Sequence, residues 1–246
     1  MTDEMQMEYR ALVDSSMLNS RRDIQISGLL RIIETTLEEH LLDIGMDNPR
    51  LVREENISWA FLSLTAEVLS PIEPGEVLTG RTWFSGRRGP LFRRELEYRH
   101  ADGSRAAAFS CFSGLIDLSA RKIIRDRTYL ERYSLPAGEP LLEADSRMTP
   151  ELDKYREADR RKIYPSWLDG LGHVNNSRYG DMIFDTLSAA GSFDGLLRRL
   201  ELYFVGELHG GEEVSLLLRR EPGCASVLGV HGQSGEAAFC SRVFFD

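Results

Sequence analysis

Two short strings in this chain recur in the same order and at corresponding places. Pro74-Gly75-Glu76-Val77 is echoed by Gly210-Gly211-Glu212-Glu213-Val214. Likewise Gly103-Ser104-Arg105-Ala106-Ala107-Ala108-Phe109-Ser110-Cys111 is echoed by Gly235-Glu236-Ala237-Ala238-Phe239-Cys240-Ser241. Ordered echoes of this kind read as a tandem duplication. The 246 residues are therefore expected to build one small fold twice.

The residue pattern says what that fold is. Residues 7–23 read as extended chain, with Tyr9, Ala11, Val13 and Leu18 partly alternating. Ile26, Leu29, Leu30, Ile33, Leu37, Leu41 and Ile44 then recur at helical spacing, Ile32 and Thr36 widen the apolar face, and Gly45 marks its stop. A helix apolar over most of its girth must be wrapped by other structure. Branched and aromatic strand segments follow at 57–70, 77–85, 91–100 and 104–118, punctuated by Pro71, Pro74, Gly75, a basic turn at 86–90 and the hairpin turn Ala101-Asp102-Gly103. The second half repeats the order: an extended piece from Lys162, a helix to about Ala190, and strands near 197–206, 213–220, 225–231 and 236–245. This is an α+β pattern, in each half one long buried helix wrapped by a curved antiparallel β-sheet. Pro136, Gly138, Pro140 and Pro150 give 136–153 the composition of a linker. The expected division is 1–135, a linker 136–153, and 154–246.

Composition excludes several classes. Apolar residues at 42% and charged residues at 28% are ordinary for a globular chain, and no apolar run is long enough to span a bilayer. A net charge of −9 argues against nucleic acid or an anionic membrane as partner. The acidic start Met1-Thr2-Asp3-Glu4-Met5 lacks the apolar core of a signal peptide. Cys111, Cys224 and Cys240 are odd in number and lack CxxC spacing, which disfavours disulfides and a cysteine zinc site. A cytoplasmic protein without metal or other cofactor is expected.

One stretch carries chemistry: Trp167-Leu168-Asp169-Gly170-Leu171-Gly172-His173-Val174-Asn175-Asn176-Ser177-Arg178-Tyr179. Gly170 and Gly172 permit a sharp loop, Asn175 to Ser177 are cap types, and Tyr179, Met182, Ile183, Thr186 and Leu187 form one helical face behind them. Asp169 and His173 thus stand at a helix start, where a base beside backbone N–H groups suits acyl transfer. Asp-Gly turns and helix-end histidines are also common structural devices. An acid, a His, two Asn and two Gly together favour a site.

Asp169-x-x-Gly172-His173-Val174-Asn175-Asn176-x-x-Tyr179 resembles the signature of hotdog-fold acyl thioesterases, most of all the acyl-ACP thioesterase family. Asn56-Ile57-Ser58-Trp59 and the stretch from Trp83 to Arg94 are similar to further segments of that family. The resemblance implies a double hotdog with the two sheets side by side. It also implies a loop Asp, Asn and His plus an acid after the first strand beyond the helix. Asp169 falls on the Asp, His173 on the His, and Glu207 on the acid, with Glu201 as the alternative. Backbone N–H groups of Val174, Asn175 and Asn176 would hold the oxyanion. Two positions depart from the pattern: Leu171 stands where the family has Asn, and Leu208 where plant relatives have Cys.

The first half has Arg21-Arg22-Asp23-Ile24-Gln25-Ile26-Ser27-Gly28 at the corresponding place, without the motif. It would then serve substrate, with Trp59, Phe61 and Trp83 either lining an acyl slot or filling the core. The reaction expected from the resemblance is hydrolysis of a fatty acyl thioester on acyl carrier protein. Asp169, or Glu207 acting through His173, would activate water; direct attack by Asp169 is the variant. The acidic carrier calls for local positive charge, for which Arg87, Arg88, Arg93 and Arg94 are candidates, with Arg160, Arg161 and Lys162 a second cluster. An acyl-CoA thioesterase and an acyl-binding sensor that has lost catalysis are the rivals. A sheet edge would also suit a homodimer.

Overall fold

The computed structural model describes residues 7–135, 137–191 and 195–246. The acidic start at 1–5 and Pro136 of the expected linker lie outside them. Contacts divide the chain into two units. The first comprises the residues up to Leu12, Ile32–Ser70 and Glu76–Ser146; the second Val13–Arg31, Pro71–Gly75 and Arg147–Asp246. The break after Ser146 falls inside the expected linker. The simple division at 135 and 154 is corrected in that 13–31 and 71–75 group with the C-terminal unit. Close backbone approach explains part of this: a Cβ on Gly28 would lie 2.3 Å from the Met17 carbonyl oxygen, and one on Gly180 only 2.6 Å from the Ser27 nitrogen. Glycine alone lets these segments meet.

In the first unit the sheet order is β1 (Met7–Leu12), β3 (Val77–Arg88), β4 (Leu91–Arg99), β5 (Arg105–Asp117), β2 (Ile57–Val68), all antiparallel, with β6 (Lys122–Ile123) on β5. Helix α1 (Ile26–Asp43) follows the expected apolar period, and its part from Ile32 onward belongs here. Thr36 Oγ1 meets the Tyr98 hydroxyl at 2.7 Å, and that hydroxyl donates to the Ile32 carbonyl at 2.8 Å. The chain turns at Gly45, whose φ is +67°. Two short helices were not legible in the sequence, α2 (Asn48–Glu55) and α3 (Arg127–Glu131). Both are polar and held by N-caps: Asp47 accepts from Arg50 N–H and Asp126 from Tyr129 N–H. Trp59, Phe84, Phe92, Leu115 and Tyr133 form a buried cluster beneath them.

Within the segment of linker composition, residues 138–145 form a strap over this sheet. Gly138 N–H donates to the Phe84 carbonyl at 2.8 Å, Leu141 N–H to Glu95 Oε2 at 3.1 Å, and Leu142 N–H to Ser110 Oγ at 3.2 Å. Ser63 Oγ in turn donates to the Asp145 carbonyl at 2.7 Å. Glu95 is fully buried and accepts from Arg93 Nε at 2.7 Å and from the Ser85 and Ser110 hydroxyls as well as from Leu141 N–H, since an unpaired buried carboxylate is costly.

The second unit repeats the strand order: β7 (Arg156–Lys162), β9 (Glu213–Glu221), β10 (Cys224–His231), β11 (Ala237–Phe245), β8 (Leu197–Phe204), again antiparallel. Numbered from each unit's first strand, both orders read first, third, fourth, fifth, second, as a duplication requires. Helix α4 (Asn176–Ala189) buries Tyr179, Met182, Ile183, Thr186 and Leu187. Each large apolar side chain so buried is worth about 1.5–3 kcal/mol. Among the described residues no helix is long and apolar enough to cross a membrane. The three cysteines are free and buried.

Candidate active site

The motif loop is a closed hydrogen-bonded ring. Leu168 and Val174 form an isolated antiparallel bridge. Asp169 N–H donates to the His173 carbonyl at 2.8 Å, and Gly172 N–H donates to the Asp169 carbonyl at 3.1 Å. Gly172 takes φ +81°, which explains the glycine there. Asp169 Oδ1 accepts from Leu171 N–H at 2.8 Å and from His173 N–H at 3.2 Å. One oxygen of this carboxylate is therefore spent on shaping the loop that carries His173.

Helix α4 starts from a cap. Asn175 Oδ1 accepts from Ser177 N–H at 3.0 Å and from Ser177 Oγ at 2.6 Å, and the Asn175 carbonyl accepts from Arg178 N–H at 2.9 Å. Val174 N–H donates to the Leu208 carbonyl at 3.0 Å and Asn175 N–H to the Trp167 carbonyl at 2.9 Å. These bonds correct the expected oxyanion cradle: the donors of Val174 and Asn175 hold the loop together. Asn176 is the first residue of the helix, and its side chain is half-buried.

Beyond β8 the chain docks beside the loop. Leu208 is fully buried and supplies the carbonyl just named. His209 pairs its backbone with His173 in a second isolated bridge. Residues two apart on extended chain project to one side, so Glu207 and His209 both stand beside His173. His173 Nε2 lies 3.5 Å from Glu207 Oε2, and His209 Nε2 lies 3.7 Å from the same oxygen. The two imidazole rings meet edge to face with centroids 5.1 Å apart. Glu212 Oε2 accepts the His209 N–H at 3.0 Å and lies 3.5 Å from His231 Nδ1. Side-chain exposure is 23% for His173 and 42% for both Glu207 and His209, so this corner is open within its unit.

The acid beside His173 is Glu207. The alternative, Glu201, sits on β8 between Arg199 at 2.9 Å and Arg242 at 3.3 Å. Leu171 is exposed at the loop tip, where the family pattern has Asn. His209 was missed. The i, i+2 spacing of Glu207 and His209 was its available signal.

The structure does not gather Trp59, Phe61 and Trp83 into one slot. Trp59 packs into the cluster with Phe92, at a ring-centroid distance of 5.0 Å, and its Nε1–H donates to the Met46 carbonyl at 3.0 Å. Trp83 precedes Phe84, which belongs to that cluster, so its ring takes the opposite sheet face. There it lies under the strap, donating to the Glu139 carbonyl at 2.9 Å. Phe61 is half-buried on β2. Cavities of about 190 Å³ beside Tyr133 and about 950 Å³ beside Thr186 and Arg220 lie within single units. Neither is lined by Asp169, His173 or Glu207.

The basic candidates are likewise divided. Arg94 shares the inward face of β4 with Phe92 and Leu96, is 3% exposed, and donates from Nη2 to the Leu37 carbonyl at 3.2 Å. The same Nη2 is 2.8 Å from His40 Nδ1. Burial lowers the Arg94 pKa to about 10, and burial followed by the neighbouring Arg94 lowers that of His40 to about 3. Arg93 points the other way, to Glu95 at 2.7 Å and the Leu142 carbonyl of the strap. The Arg87 guanidinium rests over Phe92, 5.6 Å from its centroid. Arg88 alone of the four is exposed, so the expected docking cluster is corrected. Strand alternation and burial take its other members. In the second cluster, Arg161 is held by Asp159 at 2.7 Å and Asp185 at 2.8 Å.

Residues 3–128 match the family model described as the acyl-ACP thioesterase N-terminal domain. Among solved structures, an acyl-ACP thioesterase from Bacteroides thetaiotaomicron aligns with a TM-score of 0.86 at 21% identity, covering all of both chains. A 12:0-ACP thioesterase from Umbellularia californica aligns with a TM-score of 0.81 at 14% identity over 98% of this chain and 97% of that one. Comparison with curated proteins gives no match. The structural likenesses establish a hotdog-like fold.

Proposed function

We propose, from the premise that this chain belongs to the acyl-ACP thioesterase family, that it hydrolyses a fatty acyl thioester of acyl carrier protein. The reading makes the two units the halves of a double hotdog, the later half catalytic. The observation that carries it is the approach of His173 Nε2 to Glu207 Oε2 at 3.5 Å on a loop whose shape Asp169 fixes. The Glu207–His173 pair takes a proton from water as the water oxygen bonds to the thioester carbon. The C–S bond then breaks, and the pair returns that proton to the departing sulfur. The products are a free fatty acid and the carrier thiol. Asp169 positions His173 through the bond to its N–H. A thiol is acidic enough, with a pKa of about 8.5, to leave with modest assistance.

The test is thiol release from acyl-ACP and acyl-CoA of matched chain length, by the parent and by Glu207→Gln and His173→Ala. Both variants should lose at least about a hundredfold in kcat, the usual share of a positioned acid–base group, while keeping their Tm. Acyl-ACP should be turned over with the higher kcat/KM. Preference for acyl-CoA would transfer the reading to that substrate, and full activity in either variant would remove the pair from the mechanism.

A further inference from the structure

Three potential ligand atoms converge beside the motif loop, and only two of those side chains are used above. One ligand atom from each of His173, Glu207 and His209 lies within 4.8 Å of the other two. The two distances to the carboxylate oxygen are 3.5 and 3.7 Å. We infer that His173, Glu207 and His209 form a binding site for a zinc ion.

Two imidazoles and one carboxylate are a borderline donor set that suits Zn²⁺ and leaves a coordination position for water. Zn–N and Zn–O bonds of about 2.0–2.2 Å place tetrahedral ligand atoms roughly 3.3 Å apart. The two short separations are already near that value. The backbone supports the arrangement. The His173–His209 bridge sets both rings on one side, and the bond from His209 N–H to Glu212 anchors the second ring's segment. Partial exposure of all three side chains gives the ion a way in. The cysteines contribute nothing, because each is buried.

Binding has a consequence that rests on the proposed function. A zinc ion on His173 Nε2 and Glu207 Oε2 occupies the atoms that move the proton from water to sulfur. Zinc-loaded protein is therefore inhibited, and a chelator restores it.

Chelator-stripped protein should be titrated with ZnCl₂ by calorimetry, with thiol release measured in parallel. One ion per chain is expected. His209→Ala and Glu207→Gln should each weaken binding at least tenfold, and the hydrolysis that His209→Ala retains should no longer respond to zinc. Binding that is absent, or unchanged in both variants, overturns the site and leaves the thioesterase reading intact. One ion per chain lost in both variants, with hydrolysis undiminished at saturation, upholds the site and overturns the catalytic role of the pair.

Discussion

Replacing Asp169 by Ala and by Asn separates two jobs that a wild-type carboxylate confounds. Oδ1 accepts from Leu171 N–H and His173 N–H, so Asp169→Ala removes both bonds. At about 0.5–1.5 kcal/mol net each, the loop loses about 1–3 kcal/mol of preference for the conformation that presents His173 to Glu207. With about 1.4 kcal/mol per factor of ten, thiol release should fall roughly 5- to 150-fold. Asn retains an oxygen at Oδ1 and changes only the second position. The chain already contains this loop with an Asn: Asn19 Oδ1 accepts from Arg21 N–H at 2.8 Å and Asp23 N–H at 3.0 Å. There Asn19 N–H donates to the Asp23 carbonyl and Arg22 N–H to the Asn19 carbonyl, both at 2.9 Å. Asp169→Asn should therefore retain activity within roughly fivefold, because both N–H donors keep an oxygen acceptor and no more than about 1 kcal/mol is lost. The assay is single-turnover thiol release from acyl-ACP beside a thermal melt. If Asp169→Asn is as inactive as Glu207→Gln while its Tm is intact, the second oxygen takes part in the chemistry and the positioning argument fails.

Acid should destabilise the fold through His40. Its folded pKa near 3 lies below the unfolded value of about 6.5, so the unfolded state binds the extra proton between those limits. The His40 contribution is thus complete above pH 6.5 and is lost as pH falls toward 3, amounting to a few kcal/mol. Urea midpoints against pH should show this slope in the parent and a flatter one in His40→Gln. Gly229→Ala should cost about 1–3 kcal/mol by urea denaturation, because its Cβ would stand 2.1 Å from Phe239 Cε1; a neutral change would refute that packing. Gly172→Ala should cost no more than about 2 kcal/mol, since Arg22 holds φ +72° at the matching place in the other loop; unfolding would refute the correspondence.

What the sequence could disclose depended on whether local chemistry decided the outcome. The motif loop was legible because glycine conformation, an Asn cap and a helical face are local signals that agree. The long helix and the hairpins were legible from their periods. That Arg93 and Arg94 face opposite ways follows from strand alternation, but which of the two turns inward does not. Only the pairing of β4 settles that one enters the core beside His40 and the other meets Glu95 beneath the strap. The strap itself reads as linker from its prolines, and its fixation comes from a buried carboxylate distant in sequence. His209 escaped notice because its role arises from a bridge between segments 36 positions apart.

The two loops show why catalysis is expected of one copy only. Leu18–Ile24 matches Leu168–Val174 as a bridge. Gln25 N–H donates to the Met17 carbonyl as Asn175 N–H donates to that of Trp167, both at 2.9 Å. Further on, Gly75 N–H donates to the Val13 carbonyl at 2.8 Å and Gly211 N–H to that of Ile163 at 2.9 Å, with φ +80° and +89°. Counting back from these glycines places Pro71 opposite Glu207 and Glu73 opposite His209. Asp23 stands opposite His173. The backbone frame is thus common property, and an Asn anchor serves it as well as an Asp. What the earlier copy lacks is the imidazole and its carboxylate partner. Asp23 and Glu73 place carboxyl groups where the later copy has imidazoles, so the earlier copy has no histidine to carry a proton from water to sulfur. The two loops share a frame, and on the proposed reading the chemistry rests on the side chains at two of its positions.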